Sequence, residues 1–409
     1  YPQEMAVRAW LYQVIREVSE SFGYQEYDGP FLEKLELYAA KSGEELVKEQ
    51  AFVFEDRGGD RVTLRPELTP TLARMVAERQ RQLTTPLRWW SFGPFWRYER
   101  PQKGRTREFF QWNIDLIGCN TPEADAELVA VCAAFFKRVG LSPNQVQVLV
   151  NNRKLMEAVL AEMGVPQERW GDVFRLIDRR DKLDTADWEA YAVQIGLDGG
   201  QIERLKAALA DPELWRKHPD FIRFFTVLEG MGYREYVRFD PQIIRGLDYY
   251  TGMVFEARDC QGGRAILGGG HYDNLVSDVG GDPLPGVGFA MGDVMTGIIL
   301  QREALITAET NLADTVLVTV FDEERLATSF ALAAELRAAG LKVVCYPEAA
   351  KLSKQLKFAD RMGMQVAAII GPEEAAGNLV TLKHLAARSQ QTLCRSEVAA
   401  AARQMLLAC

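Results

Sequence analysis

The residues with most to offer chemically run from Trp96 to Asp115 (WRYERPQKGRTREFFQWNID). Between Arg97 and Arg107 five cations stand against one anion. An arginine near the end of a strand can fork onto a phosphate, which suits Arg97. Phe109 and Phe110 open the next strand, where neighbouring side chains face opposite ways. One ring can stack on a base while the other joins the core. The bland alternative for such a run is a solvated basic hairpin tip. A second cluster, Arg245-Gly246-Leu247-Asp248-Tyr249-Tyr250, reads either as a pocket wall offering rings and hydroxyls or as two tyrosines capping a sheet. In a third, Leu267 to Asp273 (LGGGHYD), three glycines permit close backbone approach and positive φ. No Gly-Lys-Ser/Thr ending or G-x-G-x-x-G fingerprint accompanies them, so this is not a phosphate loop. His271 beside that glycine-rich turn reads as structural sooner than as a base. In the fourth, Thr63 to Thr69 (TLRPELT), Glu67 follows Pro66 at a helix start, where a carboxylate either caps the helix or binds an ammonium. Phosphate-binding arginines, a stacking ring, a carboxylate and tyrosines together suit an enzyme that uses ATP and an amino acid.

These residues need elements to hold them. Apolar spacing predicts a helix over 4–22, then a short strand, a break at Pro30 and a helix up to Tyr38. A hairpin is expected over 52–66 with Gly58-Gly59 at its turn, and a helix over 68–80. Strands over 87–99 and 109–118 flank the basic run; a helix over 123–138 and a strand over 146–150 follow. From about 153 to 232 charged residues and helical spacing prevail, which predicts a helical insertion. Strand character returns at 235–239, 252–258, 263–268 and 286–290, with a helix over 290–304. Beyond a polar connection at 307–313 the rhythm changes to strands at 315–320, 341–346, 365–370 and 379–383. Between and after these come helices at 323–339, 351–363 and 395–407. Mainly antiparallel strands followed by strand–helix alternation make two architectures. The fold class is α+β: a core over 1–309, then a smaller α/β domain over 314–409. On that domain's second helix, Lys351, Lys354, Gln355, Lys357 and Arg361 fall together, either as a phosphate-neutralising face or as a solvated one.

Composition sets the limits. The chain has 409 residues, 47% hydrophobic and 26% charged, which excludes disorder and a disulfide scaffold. A net charge of −9 excludes a uniformly basic nucleic-acid coat, though not a local basic patch. Six scattered cysteines and three histidines, with no C-x-x-C pair, point away from a structural zinc site and fit a reducing cytoplasm. No run of 18 apolar residues occurs, so no membrane span is expected. The chain begins at Tyr1 without a basic-then-apolar leader, and a trimmed start is expected rather than a secreted protein.

Over essentially its whole length the sequence resembles the histidyl-tRNA synthetases, which are class II aminoacyl-tRNA synthetases. Arg65-Pro66-Glu67-x-Thr69 resembles their first substrate signature, and Arg97 to Asp115 resembles motif 2. Arg245 to Tyr250 and Gly268 to Asp273 resemble the two histidine-specific signatures. Gly23-Tyr24 to Pro30 resembles the dimer-forming motif 1, and 314–409 is similar to the anticodon-binding domain. The resemblance implies a class II antiparallel sheet core and a homodimer. The substrates would be histidine, ATP with Mg²⁺ and histidine tRNA, with no tightly bound cofactor and no protein-held metal. It gives Arg97 the ATP α-phosphate, Glu99 a place near the adenine, and Phe109 the stack upon it. Arg245 would hold the α-phosphate as charge builds, making Arg97 and Arg245 the catalytic pair. Arg105 and Gln111 would line the histidine and adenylate site, and Glu67 and Thr69 would take the ammonium. Tyr249, Tyr250, Tyr272 and Asp115 would serve histidine, the last three reading its imidazole. Gln102 and Arg107 would touch the tRNA acceptor end.

The chain departs from that pattern in places. The usual Gly-Leu-Glu-Arg of motif 3 reads Gly292-Asp293-Val294-Met295 here, so Met295 stands where the phosphate-binding arginine would be. Asp115 stands where many relatives carry glutamate, and His271 where many carry arginine. Arg74 and Arg100 are the candidates for the vacated γ-phosphate contact. The missing arginine also raises a rival, a non-catalytic paralogue resembling the regulatory subunit of ATP phosphoribosyltransferase. Arg97, Arg105 and Arg245, with the anticodon-like domain, favour the enzyme.

Overall fold

The computed structural model describes residues 1–39, 49–100, 104–180, 183–244, 249–306 and 312–407. Two compact units divide the chain, one over residues 3–308 and one over 309–409.

The first unit opens with the helix Pro2–Ser21, which buries Leu11, Val14, Ile15 and Val18 along one face. Eleven strands follow in this unit. They are β1 (Gln25–Glu26), β2 (Leu32–Lys34), β3 (Val53–Glu55), β4 (Arg61–Leu64), β5 (Leu87–Trp96), β6 (Glu108–Ile117), β7 (Val146–Asn152), β8 (Val237–Phe239), β9 (Met253–Asp259), β10 (Ala265–Tyr272) and β11 (Gly286–Gly292). Eight of them form one sheet in the order β1-β5-β6-β11-β10-β9-β7-β8. Its pairings are antiparallel except β1 with β5 and β7 with β8. The small sheet β2-β4-β3 carries the expected hairpin, whose turn is tied by Asp56 accepting from the backbone amides of Gly58 and Asp60.

The helix Pro122–Arg138 lies beneath the large sheet. Thr121 caps it, accepting from the Ala124 amide, and eleven of its residues are buried. The segment expected to be a helical insertion does contain five helices, from Arg153–Glu162 to Pro219–Gly230. Their apolar faces join the same continuous core as the sheet: Trp188, Leu205, Phe221 and Phe224 cluster with Trp112 and Phe135.

Two local expectations change. The strand β11 runs to Gly292, so the next helix begins at Asp293 (Asp293–Arg302) rather than at 290. The glycine triplet is no turn and has no positive φ; it lies inside β10, flanked by β9 and β11. Close approach is what it provides: a Cβ on Gly270 would stand 2.8 Å from the Tyr250 ring.

The second unit is a five-stranded sheet with β12 (Thr315–Val318), β13 (Lys342–Cys345), β14 (Val366–Ile369), β15 (Leu379–His384) and β16 (Ser389–Cys394), ordered β13-β12-β14-β15-β16. The strands β13, β12 and β14 are parallel, joined through the helices Leu326–Ala338 and Leu352–Arg361. The sequence reading missed β16. It is polar and mostly exposed, so no apolar alternation announces it, yet it pairs with β15 over six residues. Gln355 also departs from its expected surface place. It is fully buried, donating to the carbonyls of Val320 and Ala350 and accepting from the Val320 amide. Lys351, Lys354, Lys357 and Arg361 remain exposed. Among the described residues no helix is long and apolar enough to cross a membrane.

Candidate active site

One strand lays out the site. Along β6 the odd positions Phe109, Gln111, Asn113 and Asp115 share a face, while Trp112, Ile114 and Leu116 enter the core beneath. From Phe109 to Asp115 the strand advances about 20 Å at roughly 3.4 Å per residue.

The Phe109 end opens into a cavity of about 720 Å³, within the usual range for small-molecule sites. Register brings its walls together. The strands β5 and β11 finish, and β6 and β10 begin, at the same end of the sheet. Phe109 faces the cavity and stacks behind on buried Phe95, centroids 6.2 Å apart. Phe110 faces away, under the Arg8 guanidinium at 3.9 Å and beside Phe92. Arg97 leaves the end of β5, its Nε donating to the Pro66 carbonyl at 2.9 Å and its guanidinium 5.4 Å from the Phe109 ring centre. Burial pulls the Arg97 pKa down, opposed by Glu67 and Glu99. Glu99 sits on the cavity wall in an ion pair with Arg105 at 2.8 Å. Gln111 lines the inner part, its buried Oε1 without a hydrogen-bond partner among the described residues.

The Asp115 end is closed and largely aromatic. Tyr272 donates to Asp115 Oδ1 at 3.0 Å. Burial pushes the Asp115 carboxyl up to about 7, against the opposing pull of that hydrogen bond. Tyr249 packs edge-on to both Tyr250 (5.0 Å) and Tyr272 (6.1 Å). Its hydroxyl donates to Glu67 Oε2 at 3.2 Å and bonds the Thr69 side chain. Burial first, and then the nearby Glu67 carboxylate, keep both Tyr249 and Tyr250 protonated. Glu67, Thr69, Asp115, Tyr249, Tyr250 and Tyr272 thus meet as one buried cluster.

Arg65 explains how Glu67 is fixed. Fully buried, it donates to Asp28 Oδ1 at 2.6 Å, the Gly29 carbonyl at 2.9 Å and the Pro94 carbonyl at 3.0 Å. It thereby ties the segment before Glu67 to β5. His271 is structural, as the sequence favoured: Nδ1 meets Asp125 Oδ1 at 2.8 Å and Nε2 meets Asp273 Oδ1 at 3.3 Å. Burial opposes its protonated form, but the two carboxylates outweigh it and the pKa rises. Arg107 is exposed at the hairpin base, 4.3 Å from the Tyr98 ring centre. Arg245 and Gln102 lie outside the described residues.

Residues 1–293 match the family described as histidyl-tRNA synthetase. The chain belongs to that family. Residues 315–405 match an anticodon binding domain. The histidine–tRNA ligase of Opitutus terrae is 38% identical, covering 98% of this chain and 96% of its own. The chloroplastic/mitochondrial histidine–tRNA ligase of Arabidopsis thaliana is 36% identical over 95% of this chain and 82% of its own. Among solved structures, histidyl-tRNA synthetase from a Nostoc species superposes with a TM-score of 0.80 at 24% identity, covering 98% of this chain and 96% of that one. A Bacillus halodurans structure titled ATP phosphoribosyltransferase regulatory subunit/histidyl-tRNA synthetase gives 0.75 at 24% identity, over 91% and 96%. These two likenesses speak to the fold.

Within the synthetase family the altered motif 3 has a local logic. Asp293 accepts from the Phe110 amide at 3.0 Å and faces Arg8 at 3.6 Å, which pins the start of β6. Met295 packs at Gly104 of the motif 2 loop, so close that a Cβ there would lie 2.5 Å from its sulfur. Of the two candidates for the missing arginine's contact, Arg74 is held by Glu33 at 2.6 Å, and neither Arg74 nor Arg100 lines the cavity. Sequence reasoning missed Asn113, Tyr27, Arg258 and Arg264. Asn113 shares the face of Gln111 and Asp115, and among the described residues its buried Nδ2 has no partner; nor has the buried Tyr27 hydroxyl. Strand alternation from Phe109 would have found Asn113.

Proposed function

We propose that this chain is a histidine–tRNA ligase, an aminoacyl-tRNA synthetase that joins histidine to the 3′ end of histidine tRNA through a histidyl-adenylate. The observation that carries the reading is β6 itself. It runs from a cavity lined by arginines at Phe109 to a buried carboxylate–tyrosine cluster at Asp115, within a chain of this family.

In the first step the histidine carboxylate attacks the ATP α-phosphorus and the bond to pyrophosphate breaks. Alignment and fixed positive charge supply most of what such a transfer needs. Arg97, anchored on Pro66, holds the α-phosphate oxygens, and Arg245 takes the second position there. Phe109 stacks on the adenine, with Glu99 beside it. Glu67 and Thr69 bind the ammonium, steered by the Tyr249 hydroxyl. Asp115, Tyr250 and Tyr272 pair with the imidazole, and a side chain that left those groups unpaired would be penalised. Arg105 and Gln111 bridge the two halves. In the second step the terminal ribose hydroxyl of the tRNA attacks the adenylate carbonyl and AMP leaves; Gln102 and Arg107 guide the acceptor end.

Magnesium bound with the nucleotide would neutralise charge on its phosphates. The cavity wall offers the carboxylates of Glu99 and Glu256, each ion-paired to an arginine, so phosphates and water would supply most of the ion's ligands. Residues 1–309 form the catalytic part and 314–409 the anticodon-binding part, whose exposed Lys351, Lys354, Lys357 and Arg361 meet the tRNA backbone. A cytoplasmic homodimer completes the reading. Five unpaired cysteines among the described residues support a reducing compartment, and the edge strand β1, together with exposed Phe31 and Leu32 at the start of β2, supports a motif 1 interface. Charging of histidine tRNA with radiolabelled histidine tests the whole scheme. A dimer that binds ATP and histidine but charges no tRNA, and instead alters an ATP phosphoribosyltransferase, would replace it with the regulatory paralogue.

A further inference from the structure

Six charged side chains line the large cavity: Arg97, Arg105, Arg258 and Arg264 against Glu99 and Glu256. Two of the arginines are already matched. Arg105 pairs with Glu99 at 2.8 Å, and Arg258 pairs with Glu256. Among the described residues, Arg97 and Arg264 make no ion pair. They stand apart. Arg97 follows β5 and Arg264 precedes β10, with β6 and β11 between, which is roughly 14 Å of sheet at about 4.8 Å per strand. Arg97 is tied to Pro66 next to the ammonium-binding carboxylate, so it serves the phosphate nearest the amino acid. Arg264 is left for the far end of a polyphosphate.

Its position follows from where the strands end. Arg264 immediately precedes β10, whose Leu267 pairs with Met291 near the end of β11. Arg264 lines the same cavity wall as Val294 and Met295, which open the helix that follows β11. There the first turn of the helix Asp293–Arg302 supplies a valine and a methionine and no cation. The neighbouring hairpin supplies one instead, exposed at the end of a loop that Gly262 and Gly263 bend through positive φ.

We propose that Arg264 binds the ATP γ-phosphate, taking over from the adjacent strand a contact that position 295 does not make. This rests on the reading of the chain as an ATP-using synthetase. The test is equilibrium binding of Mg-ATP and of AMP to the full chain, wild type against Arg264→Ala and Arg264→Lys. A lost charge-assisted contact predicts a rise in the ATP Kd of about tenfold to a hundredfold for alanine. Lysine should fall in between, and AMP affinity should move by less than about twofold, because AMP lacks the phosphate concerned. An unchanged ATP Kd would overturn the proposal. So would equal weakening of ATP and AMP, which would place the side chain at the nucleoside or α-phosphate. Arg264 is exposed, so its removal leaves the core intact, and circular dichroism checks this. The assay needs no turnover. A wild-type chain that binds ATP normally but never activates histidine would count against the synthetase reading while leaving Arg264 decided.

Discussion

Replacing Gly288 by alanine should damage histidine recognition while sparing ATP. Gly288 lies in β11 between Asp115 of β6 and Gly270 of β10. A Cβ there would stand 2.1 Å from Asp115 Oδ1, 2.6 Å from its Cγ and 2.8 Å from the Ile114 carbonyl oxygen. Unstrained carbon atoms sit about 3.5 Å apart, so the carboxyl carbon must retreat by roughly 1 Å. The backbone of β6 has little freedom to follow, because it is paired on both sides. The carboxylate itself moves, and its hydrogen bond from Tyr272 is lost or bent. A displacement of that size in a positioning group costs about 10²-fold in rate, close to 2.7 kcal/mol. Overpacking should lower stability by about 1–3 kcal/mol as well. The assay is kcat/KM for histidine in ATP–pyrophosphate exchange, with the ATP Kd measured alongside. Gly297→Ala is the control, since nothing lies within 4 Å of a Cβ there. A folded Gly288→Ala protein with unaltered kcat/KM for histidine would refute the assignment of Asp115 to the imidazole.

Other expectations follow from the same geometry. Glu67→Gln removes the charge facing the substrate ammonium and should raise the histidine KM by about tenfold to a hundredfold, with the ATP KM steady; a parallel rise in both would contradict the role. Asp115, at about 7 when folded, binds its proton more tightly than in the unfolded chain. From about pH 4 to about pH 7 it therefore costs stability as pH rises, at up to roughly 1.4 kcal/mol per unit. Urea unfolding at about pH 5 and about pH 8 should show Asp115→Asn gaining on the wild type toward the alkaline end, and a constant gap would deny the burial effect. The double change Lys354→Glu with Lys357→Glu should raise the tRNA KM by at least about tenfold at low salt and leave amino-acid activation untouched. Equal tRNA affinity would return that helix face to ordinary solvation.

Much of this was legible in the sequence where one segment carries its own chemistry. The basic run, the two phenylalanines opening β6 and the glutamate after Pro66 stand out by residue type and spacing, and strand alternation shows which way each phenylalanine points, although the helix begins only at Thr69. What escaped depends on register or on packing. Arg258 and Arg264 look like stray hairpin cations until the folded sheet sets them on one cavity wall with Met295. Gln355 resembles its basic neighbours, but its amide closes the backbone groups of Val320 at the edge of the core. Of the two uses expected for the glycine triplet, close approach holds at Gly269 and Gly270, beside Phe255 and Tyr250, and positive φ does not. The helices after Arg153 read as a separate insertion because their surface is charged, although their inner faces complete the main core.

In the proposed function the cluster at Asp115 selects histidine and the cavity at Arg97 activates it with ATP. Amino-acid-dependent exchange of labelled pyrophosphate into ATP measures this most directly. The account predicts exchange with histidine, none above background with the other amino acids, and loss of most of it in Arg97→Ala. A folded chain that shows no histidine-dependent exchange, or exchanges equally well with another amino acid, would contradict it.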